Sequence, residues 1–337
     1  MLPSLTIRRA TAAPADYAAC ADFVRMDGDA ATPDDLLAFD RTCERSGACS
    51  WRYLACDTTG STVGSGHFFP VTWLATPGTY WVAARVRPGF ERRGIGSALL
   101  AQMEADLMSL GARAMWLMVS EQASDLIAAL HRRGFHEQMR SHPYNLEVAA
   151  APPIDLPVRL ERLAARGIQI RTLAECREHD PDWLDQIYAL HAVLTREVPI
   201  PEKIFTSRDE FAAFAVASSD ALLDAFFVVC DGDQYVGLSF LQRRAETPET
   251  LFQELTGTLP AYRGMGLAKV MKQLTIAYAQ QHAYRRIVTW VEDSNTGMLA
   301  INLAYGFVRE PGLVLLERPV PAAVTLEPAA APVVVAR

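Results

Sequence analysis

The 337-residue sequence has no long apolar run, no excess of positive charge and no close pairing of its cysteines. No stretch approaches the roughly 18 apolar residues of a membrane-spanning helix, so we expect no membrane partner. The 39 acidic residues outnumber the 32 basic ones and give a formal charge of −7. A nucleic-acid or anionic-membrane partner favours a basic face, so we expect no nucleic acid either.

The six cysteines form no Cys-x-x-Cys pair, and no histidine cluster has the spacing of metal ligands. This pattern is typical of reduced thiols, so we expect a cytoplasmic protein without a metal. Residues 1–9 lack the apolar core of a signal peptide. Half of the residues are hydrophobic, and a chain of this length is expected to form about two domains.

The most informative feature that is present is an internal repeat. The strings PGFERRGIG (88–96) and PAYRGMGLA (260–268) begin with prolines that lie 172 residues apart. The same offset relates the Gly-Phe pairs at 134–135 and 306–307. Because the offset holds from residue 88 to residue 135, it indicates that a whole domain was duplicated.

Each loop follows a strand-like run and begins a helical pattern. The strands are predicted over 80–86 and 252–259, and the helices over 97–110 and 268–281. A strand–glycine loop–helix unit directs backbone N–H groups and a positive helix end towards an anion, usually a phosphate. We predict a first domain over 1–150, a linker over 151–167, a second domain over 168–318 and a loosely ordered tail over 319–337.

The second loop carries a resemblance to a known family. Its residues 263–268, Arg-Gly-Met-Gly-Leu-Ala, match the Arg/Gln-x-x-Gly-x-Gly/Ala signature of the GNAT superfamily, and the closing Gly-Phe is also placed as in that family. The chain resembles a tandem GNAT N-acetyltransferase, with two domains in the manner of mycothiol synthase. The resemblance covers nearly the whole chain. It implies an α/β (α+β) fold of two GNAT-like domains, each a mixed, mainly antiparallel sheet flanked by helices.

The resemblance also implies acetyl-CoA, or a related acyl-CoA, as cosubstrate. The residues expected to bind its pyrophosphate are Arg263, Gly264, Met265, Gly266, Leu267 and Ala268. Thr258 and Leu259, at the splayed strand end, are expected to pair with the pantetheine and polarise the thioester carbonyl. Asn295 is either a helix N-cap or a pantetheine contact. Lys269 and Lys272 are expected on a solvated helix face.

Members of the family often carry a carboxylate on the strand before the loop, where it takes a proton from the incoming ammonium. That position is Glu254 in the second copy and Val82 in the first. Glu91 also stands where the signature has Arg or Gln, so we expect the chemistry in the second copy. Glu292 and Asp293 are the alternative bases. An ion pair with Arg243 or Arg244 is the alternative role of Glu254.

The family's usual general acid, a tyrosine four residues before the closing glycine, is replaced by Asn302 in the second copy and Leu130 in the first. An amide supplies no proton, but Asn302 is a candidate to hydrogen-bond the CoA sulfur or the pantetheine. The stretch 191–205 is the expected acceptor-side loop. Its Glu197 either binds a cationic amine or is a surface charge.

The sequence therefore predicts an N-acetyltransferase that moves acetyl from acetyl-CoA to a small-molecule primary amine by direct attack in a ternary complex. One alternative is a non-catalytic acyl-CoA-binding or regulatory protein, which the missing tyrosines favour. The other is an aminoacyl transferase of tandem-GNAT fold, which the acidic charge and the CoA-type loop disfavour. The sequence leaves the acceptor amine and the oligomeric state open.

Overall fold

The computed structural model describes residues 5–28, 30–153, 155–202 and 206–321. The expected tail beyond residue 321 lies outside the described residues, as do residues 203–205 of the expected acceptor-side loop and residue 154 of the linker. No helix in the described ranges is long and apolar enough to cross a lipid bilayer.

The first half of the chain, up to residue 150, alternates strands and helices. Its elements are β1 (Thr6–Arg9), α1 (Pro14–Arg25), α2 (Pro33–Arg45), β2 (Trp51–Cys56), β3 (Thr62–Pro70), β4 (Thr79–Val86), α3 (Ile95–Ser109), β5 (Ala114–Ser120), α4 (Ser124–His131) and β6 (His136–Glu147).

Helix α5 (Leu156–Ala164) occupies the predicted linker and leads into the second half. The second half then contains β7 (Ile168–Thr172), α6 (Leu173–His179), α7 (Trp183–Thr195), α8 (Arg208–Ala215), β8 (Ala221–Asp231), β9 (Gln234–Gln242), β10 (Thr250–Thr258), α9 (Leu267–Gln281), β11 (Arg286–Glu292), α10 (Thr296–Ala304), β12 (Val308–Arg309) and β13 (Leu313–Pro319). The predicted strand–loop–helix order is thus present in both halves.

The strands form one sheet in the order β1-β2-β3-β4-β5-β13-β6-β11-β10-β9-β8-β7. The last strands of the two halves are exchanged at its centre: β13 pairs with β5, and β6 pairs with β11 as well as with β13. Among the strands of the described residues, only the pairs β4/β5 and β10/β11 are parallel. The expectation of mixed, mainly antiparallel sheets flanked by helices is confirmed, and the strand exchange makes them continuous.

The two parallel pairs position the site because each of them is short. Strands β4 and β5 pair only over Thr79–Trp81, and β10 and β11 only over Thr250–Gln253. Beyond these residues the strands of each pair diverge. Helix α3 packs beneath the first opening with Leu99, Met103 and Leu107 fully buried, as its helical spacing predicts.

Candidate active site

The glycine loop of the second half enters helix α9 through two left-handed residues. Gly264 has φ +75° and Gly266 has φ +80°, a region that is costly for residues with a Cβ. A Cβ at either position would meet nothing within 4 Å, so the backbone conformation, and not crowding, requires glycine here. Gly266 caps α9, and the loop therefore lies at the positive end of that helix.

A cavity of about 700 Å³ extends from this loop, and we call it the loop cavity. Among the residues predicted to bind the cosubstrate, it is lined by Thr258, Arg263, Gly264, Gly266, Leu267, Ala268 and Asn295. Leu259 and Met265 are not among its lining residues. The side chain of Arg263 forms an ion pair with Glu197, which borders the same cavity. Glu197 is therefore a partner of the signature arginine in this structure.

Strand β10 carries a bulge at the point where it leaves β11. Its register with β9 shifts between Gln253 and Thr256, whereas β4 in the first half pairs with β3 without a shift. Within the described residues no strand pairs with the β11-facing edge of β10 beyond Gln253. A bulge re-aims side chains and leaves backbone groups unpaired, so this edge is free to hydrogen-bond a ligand.

Glu254 lies at this bulge and lines a second cavity of about 300 Å³, which we call the strand cavity. The two cavities share five lining residues, Val198, Leu255, Thr256, Asn295 and Met298.

Burial raises the pKa of Glu254, and nearby Arg244 opposes the shift. The Arg244 Nη2–Glu254 Oε1 distance is 3.7 Å, so the expected ion pair is with Arg244. Arg243 donates instead to the Ser219 carbonyl.

The two alternative bases occupy different places. Glu292 lines the strand cavity with Glu254, and burial raises its pKa. Asp293 is half exposed, and its Oδ1 lies 2.7 Å from Nδ1 of His142 at the junction between the halves. The strand cavity thus holds two carboxylates, Glu254 and Glu292, and Asp293 is not among its lining residues.

Two further titratable residues, Lys272 and His191, line the strand cavity. Neither was assigned a role of its own from the sequence, although His191 begins the expected acceptor-side stretch 191–205. Lys272 was expected on a solvated helix face, and that expectation was wrong: it is 1% exposed, because α9 turns this position towards the sheet. Its Nζ donates to Oε1 of Gln253 at 2.6 Å. His191 of α7 is buried, and its Nδ1 has no hydrogen-bond partner within the described residues. Burial lowers its pKa to about 4, so the ring is neutral at physiological pH.

A sequence signal for Lys272 exists in the repeat. Subtracting the offset of 172 gives Leu100, an apolar residue of the α3 pattern that faces its own cavity. The same comparison pairs Asn302 with Leu130. Asn302 is fully buried in α10, and neither polar atom of its side chain has a partner among the described residues. It does not line either cavity.

Asn295 fulfils the first of its two predicted roles. Its Oδ1 accepts a hydrogen bond from the Met298 amide at 3.2 Å and caps α10. It also lines both cavities, so its remaining donor group is close to any ligand there. The equivalent residue of the first half, Ala123, provides no such cap.

The first half contains a cavity of about 1010 Å³ at the equivalent place, lined by Val82, Gly94 and Leu130 among others. Gly94 has φ +81°, and Arg92 adopts φ +59° where the second half has Gly264. A left-handed non-glycine residue costs roughly 1–2 kcal/mol. Glu91 accepts a hydrogen bond from the Gly89 amide at 2.6 Å. The first half thus has a cleft at the equivalent place, with Val82 in the position of Glu254 and without the strand bulge.

Two diverging strand pairs, each beside a left-handed glycine that begins a helix, define a protein of two α/β domains with a cleft at each glycine loop. The cleft of the second domain contains the half-buried carboxylate of Glu254. Residues 19–135 and 187–307 match the Acetyltransferase (GNAT) family. The chain belongs to this family, contains its domain twice and is a GNAT-type N-acetyltransferase.

Known proteins resemble the chain over most of its length. The mycothiol acetyltransferase of Geodermatophilus obscurus is 25% identical over 234 residues, which span 66% of this chain and 69% of that protein. A GCN5-related N-acetyltransferase from Sphaerobacter thermophilus superposes with a TM-score of 0.65 at 18% identity, covering 96% of this chain and 98% of that one. A tandem GNAT protein from the clavulanic acid biosynthesis pathway superposes with a TM-score of 0.62 at 16% identity, covering 95% of this chain and 100% of that one. At these identities the two structures support the fold alone.

Proposed function

We propose that the second half transfers the acetyl group of acetyl-CoA to the primary amine of a small molecule by direct attack in a ternary complex. The observation that carries the proposal is that the loop cavity and the strand cavity meet at the bulge of β10. A cosubstrate bound along the first cavity would present its thioester to an acceptor in the second. The name of the relative from Geodermatophilus obscurus supports acetyl as the transferred group.

The loop cavity suits the CoA portion of the cosubstrate. The amides of residues 263–268 and the start of α9 would bind the pyrophosphate, with Arg263 as a side-chain donor once it leaves Glu197. The free edge of β10 as far as Thr258 would hydrogen-bond the pantetheine and polarise the thioester carbonyl. The proposal places the protein in the cytoplasm, where its free cysteines stay reduced.

Glu254 is the base in this proposal. An alkyl ammonium has a pKa of about 10.4, so the acceptor must lose a proton before it attacks. Burial moves the pKa of Glu254 upwards, towards the working pH of a general base. Burial in the same cavity lowers the pKa of His191 to about 4, which is away from that working range. The carboxylate is therefore the better proton acceptor of the two.

The strand cavity also restricts the acceptor. Its volume of about 300 Å³ is at the small end of ligand sites. Phe214 and Trp290 line it and are 48% and 47% exposed, an apolar surface beside the carboxylates Glu254 and Glu292. We infer a small amine with an apolar or aromatic body, whose ammonium faces the carboxylates and whose body covers the two rings.

A panel of amines with acetyl-CoA tests this function, with thiol release and the mass of the product as readouts. We expect phenethylamine to be acetylated with a higher kcat/KM than putrescine or glucosamine. Trp290→Ala should raise the KM for phenethylamine several-fold and leave acetyl-CoA affinity unchanged. Trp73→Ala, which removes an exposed tryptophan of the first half, is the matched control. Acetyl-CoA binding without thiol release for any amine would instead support the non-catalytic alternative.

A further inference from the structure

Lys272 occupies an unusual place for a lysine. It lies in α9 with 1% of its surface exposed and lines the strand cavity together with Glu254 and Thr256. Its Nζ lies 4.8 Å from the centre of the Phe307 ring. Burying an ammonium is costly, and the side chain has no carboxylate partner within the described residues to offset that cost.

The surrounding hydrogen bonds fix the orientation of the ammonium. Gln253 donates through Nε2 to Ser239 Oγ at 2.8 Å and to Thr256 Oγ1 at 2.9 Å, so its Oε1 is turned towards Lys272. A lysine has three N–H donors, and Gln253 Oε1 accepts one of them. The other two have no hydrogen-bonding partner in the described part of the chain. They are available to a ligand in the cavity.

The repeat separates this arrangement from ordinary helix packing. The equivalents of Lys272 and Asn302 in the first half are Leu100 and Leu130, and both line the first-half cavity. The half that contains Glu254 therefore carries two buried polar residues where the first half has leucines at its cleft, and one of the two, Lys272, lines the strand cavity. Asn302 is joined to the Lys272 surroundings through Phe307, whose amide donates to the Asn302 carbonyl at 3.1 Å.

We propose that Lys272 is the proton donor for the thiolate that leaves CoA, an inference that rests on the function proposed above. The acceptor ammonium gives one proton to Glu254, and its nitrogen forms a bond to the thioester carbon. The C–S bond then breaks, and its electron pair goes to sulfur. Lys272 gives one N–H proton to that sulfur and becomes a neutral amine, while the new amide nitrogen loses its second proton to solvent. Exchange with solvent restores Glu254 and Lys272 between turnovers.

The protonation chemistry supports this assignment. Burial lowers the pKa of Lys272 to about 7, near the range at which a general acid is most effective. The other titratable groups that line the cavity are Glu254 of β10, Glu292 of β11, His191 of α7 and Arg244 after β9. A donor must be protonated, so kcat falls as the pH rises through about 7. The base must be ionised, so kcat rises through the raised pKa of Glu254, and the profile is bell-shaped.

The test is the pH dependence of kcat at saturating amine for the wild type and for Lys272→Leu. Leucine is the residue that the first half carries at this helix position, so the fold accommodates it there. We expect kcat to fall roughly 10²–10⁴-fold and the falling limb near pH 7 to disappear. Acetyl-CoA affinity, measured by calorimetry, should stay near the wild-type value. Lys269→Leu makes the same substitution at an exposed position of α9 that borders the loop cavity, and it should keep the falling limb of kcat whatever its effect on acetyl-CoA affinity.

Four outcomes separate the possibilities. Loss of the limb in Lys272→Leu alone supports the assignment. A wild type whose kcat shows no falling limb between pH 6 and 9 overturns the assignment, whether or not the variant folds. A Lys272→Leu variant that keeps both the falling limb and the wild-type rate also overturns it. If no amine releases thiol from the wild type, the proposed function itself fails and the donor role fails with it.

Discussion

Glu121 and Asp293, which occupy equivalent positions in the two halves, contact opposite nitrogens of one imidazole ring. Glu121 Oε2 lies 2.9 Å from His142 Nε2. Asp293 Oδ1 lies 2.7 Å from Nδ1, a contact that lacks the alignment of a hydrogen bond. His142 is fully buried on the exchanged strand β6. Since the two carboxylates follow β5 and β11, this ring joins the strand ends of both clefts.

Gly312 packs directly against this junction, and its replacement should be among the most destabilising small changes in the chain. A Cβ there would collide with the Ser141 carbonyl and the His142 ring. Overpacking of this kind typically costs about 1–3 kcal/mol, and a collision with backbone lies towards the upper end of that range. We expect Gly312→Ala to lower the Tm clearly in a thermal melt. Gly297→Ala, a helical site with open space around it, should not; equal melting temperatures would contradict the packing argument.

Acetyl-CoA should bind mainly to the loop of the second half. Gly266→Val would place a bulky side chain where phosphate must approach, and we expect most of the affinity and the turnover to be lost. Gly94→Val is a matched control because both glycines have nearly the same left-handed φ and impose the same backbone strain. Calorimetry and thiol release measure the two effects. If only Gly94→Val lost turnover, the active site would lie in the first half and the assignment to the second half would be wrong.

Glu254→Gln tests the base while preserving shape. We expect kcat to fall roughly 10²–10⁴-fold with acetyl-CoA affinity near that of the wild type. Because burial raises the pKa of Glu254, the wild-type rate should rise as pH increases through that raised pKa, and the variant should lose this limb. Glu292→Gln is the comparison from the same cavity. Normal turnover with an unchanged profile in Glu254→Gln would assign the role to Glu292 or water.

Glu197 should weaken cosubstrate binding. Its carboxylate pairs with Arg263 and borders the loop cavity, so it competes with the pyrophosphate for the arginine. We expect Glu197→Gln to tighten acetyl-CoA binding about fivefold, which corresponds to roughly 1 kcal/mol for an exposed pair, and the gain should shrink at high salt. Glu202→Gln is a nearby control, since Glu202 pairs with Arg113 instead. Unchanged or weaker binding in Glu197→Gln would mean that Glu197 positions Arg263.

The sequence located the two phosphate-type loops because their chemistry is local. Gly264 and Gly266 are needed where the backbone is left-handed, and a residue's own φ is constrained by its side chain. The offset of 172 residues then related each position of one copy to its equivalent in the other, and it showed that the first copy has Val82 where the second has the carboxylate Glu254. Helices α3 and α9 were likewise predictable, because helical periodicity records which face is buried.

Tertiary structure decided what depends on partners distant in sequence. The exchange of β6 and β13 leaves no local signal, because a strand's own pattern does not name its neighbour. The burial of Lys272, the pairing of Arg263 with Glu197 and the location of His142 between two carboxylates likewise follow from how the elements pack. By itself the sequence determined the family, the repeat and the half that carries Glu254. Which polar residues meet in the cleft was decided only by packing, since burial and charge pairing are properties of the folded chain.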